Sequence, residues 1–268
     1  MAIIKNKYAI VSKVALCAST ILGVGLAPQL WAQATPPPIR SAIDENGVDV
    51  ITGNLNLAQA DLSIGADARQ GMVFRRTNNG MGWWNNLVGS IDKQGIAFTV
   101  SFDGSTDRFL FSSSTSTYTP TEANGASLTK SGTTYTYTGR DGTVATFAAQ
   151  GDKFQVFSGN EARITSIVYP NGAKLSFDYD LAGYCEGEIE GGACTGQRVR
   201  LARLSSVVHS NGYRFVPTYV TDAFSEDDVA SWLRVQSVKA INLGVEYCSS
   251  SCTNSWPMAS YSSSSPGG

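Results

Sequence analysis

Residues 163–180 run Arg163-Ile164-Thr165-Ser166-Ile167-Val168-Tyr169-Pro170-Asn171-Gly172-Ala173-Lys174-Leu175-Ser176-Phe177-Asp178-Tyr179-Asp180. Forty residues further on, the same pattern returns in register. Arg203, Ser206, Val208, Asn211, Gly212 and Tyr219 repeat their counterparts, and Leu204, Val207 and Phe215 keep the apolar character of Ile164, Ile167 and Leu175. Each copy predicts a strand, an Asn-Gly reversal and a second strand ending in Tyr. A lone hairpin is barely stable in water, so repeated hairpins are expected to lie edge to edge in one ladder. A third, eroded copy runs from Arg234 through Ser237 and Asn242 to Tyr247, with Leu243 in place of the turn glycine, so its hairpin must differ.

The same logic extends in both directions. Asp103-Gly104 separates the alternating run 97–102 from Phe109-Leu110-Phe111, and Asp141-Gly142 separates 135–138 from 143–147. Asp-Gly and Asn-Gly suit type I′ turns, which need positive φ at both central residues. Phe154-Gln155-Val156-Phe157 reads as a further strand, turning at Ser158-Gly159-Asn160. The expected fold is all-β, made of successive antiparallel hairpins in an extended sheet. One short helix is expected after the second copy, with Ser225 as cap, Asp228 three positions on, and Val229, Trp232 and Leu233 as its apolar stripe. Pro217 cannot donate to a ladder and favours an edge position.

The first residues read as an export leader. Lys5, Lys7 and Lys13 precede an apolar stretch from Val14 to Leu26, and Ala32-Gln33-Ala34 supplies the small residues of a cleavage site. That stretch is too short and interrupted for a stable membrane span. The organisation expected is a signal peptide over 1–34, a Pro-rich leader over 35–44, an N-terminal β region over 45–134, a repeat region over 135–261 and a flexible tail over 262–268. The formal net charge of −2, more acidic once the leader lysines are removed, argues against nucleic acid, which needs clustered Lys and Arg.

Four cysteines remain after the leader, as two close pairs: Cys185 with Cys194, and Cys248 with Cys252. An even count in an oxidising compartment reads as disulfides. Three connectivities are possible, and the two local bridges are favoured. The rival, a four-thiolate zinc site, lacks the usual two-residue spacing. The acidic, Gly-rich stretch 181–196 then becomes a projecting loop tied at its base.

The pattern Arg163 to Gly172, followed by Leu175-Ser176-Phe177-Asp178-Tyr179-Asp180, resembles the YD repeat of rearrangement-hotspot proteins. Asp141-Gly142-Thr143-Val144 with Phe147 is similar to the lead-in of that family, and Val48 to Leu55 less specifically to the opening segment of its secreted members. The resemblance implies a curved strip of sheet that winds into a shell in complete members, enclosing a cargo that is often toxic. On that basis the expected partners are further YD-repeat segments or a toxin or cargo domain, and the chain is expected to be a piece of a larger shell, too short to close around cargo by itself. Arg163, Tyr179, Asp180, Arg203 and Tyr219 are the signature positions, and Asp141, Gly142, Asn171, Gly172, Asn211 and Gly212 the turns.

The sequence carries no recognisable catalytic machinery, and neither catalytic, cofactor nor metal residues are assigned. His209, the single histidine, replaces Tyr169 of the first copy and reads as a solvent-exposed strand residue. Asp178 and Asp180 lie two apart, as a carboxylate pair would, but occupy repeat positions; a hydrolase using them is the minor alternative. Asp44-Glu45-Asn46-Gly47-Val48-Asp49 offers oxygen ligands, yet reads better as a turn than as a calcium loop. Trp83-Trp84 is a candidate platform for a sugar ring or a protein, although core packing of one of the two is the simpler reading. The expected function is a non-enzymatic, exported scaffold at the cell surface, in the periplasm or outside the cell. The alternative is a self-contained carbohydrate-binding or adhesive module that recognises cell-surface glycan.

Overall fold

A computed structural model of the chain describes residues 44, 46–48, 53, 57–66, 69–78, 83–149, 160–187, 189–190, 193–248 and 252–262; of 83, 160, 186, 189, 190, 193, 197 and 198 only the backbone is described. The leader, most of the segment resembling a family opening, the expected strand 154–157 with its turn at 158–159, and the tail beyond 262 lie outside these residues.

Alternation of apolar and polar side chains builds the first sheet. Strands β1 (Leu57–Ile64), β2 (Met72–Asn78) and β3 (Trp83–Asn85) pair antiparallel in that order. On β2, Met72 and Phe74 are buried while Val73 and Arg75 face out, the period of two that a one-sided sheet requires. A meander follows: β4 (Ser90–Gln94), β5 (Ala97–Phe102), β6 (Ser105–Ser112) and β7 (Thr117–Pro120). Phe102 pairs directly with Ser105, and Asp103 and Gly104 have φ of 47° and 75°, so this Asp-Gly does form the expected two-residue turn. A second meander comprises β8 (Ser127–Ser131), β9 (Thr134–Thr138), β10 (Val144–Ala149) and β11 (Asn160–Val168).

Strand β11 joins two assemblies. One side pairs with β10 along its length. On the other side Ser166–Val168 pairs with β12 (Lys174–Glu186), whereas Asn160–Arg163 pairs with β4. Strands β4 to β11 therefore run in a circuit whose ladder is interrupted between β7 and β8. Its interior is aromatic: Phe98, Phe109, Tyr135, Tyr137 and Phe147 are each at most 5% exposed. Edge-to-face pairs such as Phe98–Tyr118 at 5.0 Å and Phe102–Tyr137 at 5.3 Å join the strands across it.

From β12 the chain makes the small hairpin β13 (Ile189–Glu190) and β14 (Ala193–Cys194), then β15 (Gln197–His209) and β16 (Tyr213–Tyr219). Strand β12 pairs with β15 from Leu175↔His209 to Glu186↔Gln197, so the two repeat hairpins share one ladder. A bulge recurs at equivalent positions. Thr165, Ser205 and Gln236, each two residues beyond a repeat arginine, are the residues skipped where β10 meets β11, β12 meets β15 and β16 meets the next strand.

The repeat turns correct one expectation. Gly142, Gly172 and Gly212 have φ of 82°, 83° and 84°, but Asp141, Asn171 and Asn211 do not have positive φ. Tyr169 N donates to Ala173 O at 2.8 Å and Gly172 N to Tyr169 O at 2.9 Å, which makes a three-residue loop with glycine at the left-handed position. The extra residue, Pro170 in the first copy and Ser210 in the second, lengthens the loop beyond the type I′ form.

The helix divides into a 3-10 turn, Glu226–Asp228, capped by Ser225, and α1 (Val229–Leu233), capped by Asp228, whose carboxylate accepts from Ser231 N at 3.1 Å. Val229 and Trp232 pack inward, while Leu233 remains 36% exposed. Strand β17 (Val235–Asn242) extends the ladder next to β16, and β18 (Met258–Ser260) pairs with β17. The third copy thus returns later than Tyr247, which is 87% exposed. After Asn242 the chain makes a loop in which the Glu246 carboxylate accepts from Thr253 N and Oγ1, Asn254 N and Trp256 Nε1. Both local disulfides form, Cys185–Cys194 and Cys248–Cys252.

The first sheet covers the repeat strands. Phe74 meets Phe215 at 6.5 Å and Tyr261 at 6.2 Å, and Arg76 lies 4.3 Å above the Tyr261 ring while pairing with Asp61.

Candidate functional site

Two repeat units place the same three groups in the same relation. The Tyr179 hydroxyl donates to Ile164 O at 2.8 Å, and the Tyr219 hydroxyl to Leu204 O at 2.6 Å. Arg163 stands 5.9 Å from the Tyr179 ring centre; Arg203 stands 4.4 Å from that of Tyr219 and 4.6 Å from that of Trp232. Arg163 Nη1 donates to Ala202 O in the neighbouring unit, and Arg203 Nη1 to Thr221 O and Trp232 O. Burial raises the phenol of both tyrosines above the ordinary range and lowers the Arg163 guanidinium. Signature residues from both units line one cavity of about 220 Å³ with Leu204, Pro217 and Val238.

The remaining sequence candidates are also engaged. Asp180 accepts from Arg203 Nε at 3.4 Å and Asp178 from Ser206 Oγ at 3.1 Å, so each carboxylate spans the β12–β15 seam. Asp141 accepts from Thr143 N and Oγ1 and from Arg69; these bonds hold its carboxyl down to about 2. Asn171 Oδ1 accepts from Ala173 N, fixing the first repeat turn. Asp44 Oδ1 accepts from Asn46 N and Val48 N, an Asx turn.

His209 corrects the reading of an exposed strand residue, because it is 1% exposed. Its Nδ1 accepts from Asn211 N at 3.0 Å, leaving Nε2 to donate to Arg69 O at 3.2 Å. Asn211 Nδ2 also donates to Gln70 O at 2.9 Å. The loop between β1 and β2 covers this turn, and nothing local to His209 announces that loop.

Trp84 is 60% exposed and sits opposite Thr77 at the mouth of a groove; the Trp83 side chain lies outside the described residues. Sequence reasoning missed the Arg76–Asp61–Tyr261 cluster, whose members come from opposite ends of the described chain. It also missed the stacking role of Trp232, for which the helix stripe was the available signal.

Among the described residues, one close group of potential metal ligands occurs, Glu246 with Cys248 and Cys252. Both sulfurs are bound in a disulfide and the carboxylate is occupied by Thr253, Asn254 and Trp256. No helix among these residues is long and apolar enough to cross a membrane. No family model matches the chain, and no curated protein matches it.

Proposed function

We propose that the chain is a non-enzymatic scaffold of the rearrangement-hotspot type, exported from the cell, whose stacked hairpins contribute to a toxin-delivery or cell-surface shell. The observation that supports this most is the shared closure of the two units. Each has an arginine over a tyrosine sixteen residues on, with the hydroxyl returned to the residue after the arginine. The tyrosine hydroxyls close their own hairpins, and Arg163 Nη1 reaches Ala202 O of the next one.

A ladder of this kind grows at its edge. Pro257 O accepts from Ala240 N and Tyr261 N donates to Gln236 O, so the alternate residues Met258 and Ser260 turn their backbone groups away from β17. Those groups are available to a further strand, the partner a shell would supply. Ser260→Pro removes the outward N–H without removing a bond to β17. Sedimentation velocity of the mature chain over a concentration series tests the reading. Concentration-dependent association that Ser260→Pro suppresses supports it; a monomer at every concentration, with proteolytic resistance through the last strand, overturns it.

A further inference from the structure

The outer faces of two strand groups meet at Trp84. On the first sheet, Arg75, Thr77, Trp84 and Asn86 share a face, since Thr77 pairs with Trp84 and Asn86 N donates to Arg75 O. On the circuit, Ser90 pairs with Ser101 and Ser101 with Thr106, placing these small polar residues and Asp92 on one outward face. Between the two faces lies a groove of about 470 Å³, within the ~300–1,000 Å³ of small-molecule sites.

The groove differs from an ordinary wet surface in three respects. Its aromatic wall is exposed: Trp84 keeps 60% of its surface in water although every other described tryptophan is better covered. Its floor carries an underused carboxylate, since Asp92 is half-buried and its one hydrogen-bond contact among the described residues is Ser90 Oγ at 3.5 Å. Its amide is fixed in place, with Asn86 Oδ1 accepting from Arg75 N and Nδ2 donating to Val73 O, both at 2.8 Å.

We infer that this groove binds an uncharged oligosaccharide, with the apolar face of a hexopyranose on Trp84 and its hydroxyls donating to Asp92. A pyranose with equatorial hydroxyls has a flat CH face that suits an indole and a polar rim that suits fixed acceptors. Charge selects against acidic sugars, because Asp92 and Asp103 outnumber Arg75 along the groove. The ligand is a chain and not a single ring. Phe102, Asp103, Ser105 and Thr106 also line a second polar cleft of about 470 Å³ with Asp107, Glu122 and Tyr137, so the trough continues past the β5–β6 turn.

This site lies apart from the β18 edge, so a scaffold and a glycan-binding groove stand or fall separately. Calorimetric titration of the mature protein with cellohexaose, laminarihexaose and chitohexaose, and with oligogalacturonate as the acidic probe, tests the inference. At least one neutral hexasaccharide is expected to bind saturably, more tightly than its disaccharide, and oligogalacturonate is not. Trp84→Ala is expected to abolish binding with an unchanged melting temperature, Trp84→Tyr to retain part of it, and Asp92→Asn to weaken it about tenfold. Absence of binding by all three neutral probes, or binding that survives Trp84→Ala, overturns the inference. Either result leaves the association behaviour of Ser260→Pro unaffected.

Discussion

Tyr219 donates its hydroxyl to the carbonyl of Leu204 at 2.6 Å, closing its own hairpin beneath the guanidinium of Arg203. Tyr179 makes the same closure to Ile164. Each bond ties a tyrosine of the return strand to the residue beside a bulge, where the ladder has skipped a position. Tyr179→Phe and Tyr219→Phe keep the ring and lose the bond, so each is expected to cost about 1 kcal/mol. Arg203→Ala removes two aromatic stacks and leaves carbonyl oxygens of Thr221 and Trp232 without their donor, at about 2–3 kcal/mol. Urea unfolding midpoints at constant slope give these values; equal midpoints for wild type and Arg203→Ala would contradict the role assigned to the stack.

The turn glycines give a cleaner comparison. A Cβ at Gly172 meets nothing within 4 Å, and at Gly212 only Gly244 N at 4.0 Å. Substitution there is therefore a test of backbone conformation alone, at φ of +83° and +84°. Gly172→Ala and Gly212→Ala are each expected to cost roughly 1–2 kcal/mol, with Asn substitutions less harmful. Thermal unfolding of the four variants reads the ranking directly.

Much of this architecture was legible in the sequence for a local reason. Strand periodicity, Asn-Gly loops and nearby cysteine pairs are short-range patterns, and the all-β fold with both local disulfides follows from them. The features that escaped are long-range. The pairing of β4 with the first half of β11 depends on β12 leaving the ladder after Ser176, which no turn signal encodes. His209 is buried by the loop at Arg69 and Gln70. The return of the third hairpin at Met258 is postponed by a loop organised around Glu246, whose partners Thr253, Asn254 and Trp256 carry no repeat pattern. At the candidate groove the Trp83-Trp84 pair was visible, but Asp92 and Asn86 became neighbours of Trp84 only through folding.

Acid stability reports on that third loop through Glu246. Hydrogen bonds from the Thr253 side chain and backbone, with those from Trp256 and Asn254, bring the Glu246 carboxyl down to about 2 from 4.5. A carboxyl lowered by folding stabilises the native state above its unfolded value, and that contribution is lost as pH falls from about 4.5 toward 2. Glu246→Gln is expected to make the acid limb of the melting temperature shallower across that window, Asp141 supplying part of what remains, while leaving the alkaline side unchanged. An acid limb identical to wild type would show that the loop is not held this way.

At the opposite extreme, burial pushes the Tyr169 phenol up to about 12 from 10.0. Here the fold favours the neutral form, so the stabilisation is complete below 10.0 and declines as pH rises through about 12. Tyrosinate absorbance during alkaline titration is expected to show Tyr169, Tyr179 and Tyr219 ionising above the ordinary phenol range, and Tyr169→Phe to remove one late-titrating group.

The disulfides are expected to act independently of each other. Replacing Cys185 and Cys194 together by Ser opens a loop with a sequence separation of 9 and is expected to cost about 2–3 kcal/mol. Peptide mapping without reduction is expected to recover 185 joined to 194 and 248 joined to 252; any crossed pair would contradict the two closed loops.

The whole account rests on adjacent repeat hairpins sharing one hydrogen-bonded seam, with Phe177 opposite Val207 and Asp178 opposite Ser206. Cross-strand nuclear Overhauser contacts measured on the protein report that register residue by residue. Contacts linking Phe177 with Val207 and Leu175 with His209 are the predicted result. Contacts that pair either strand with a different partner, or that shift the register by one residue, would contradict it.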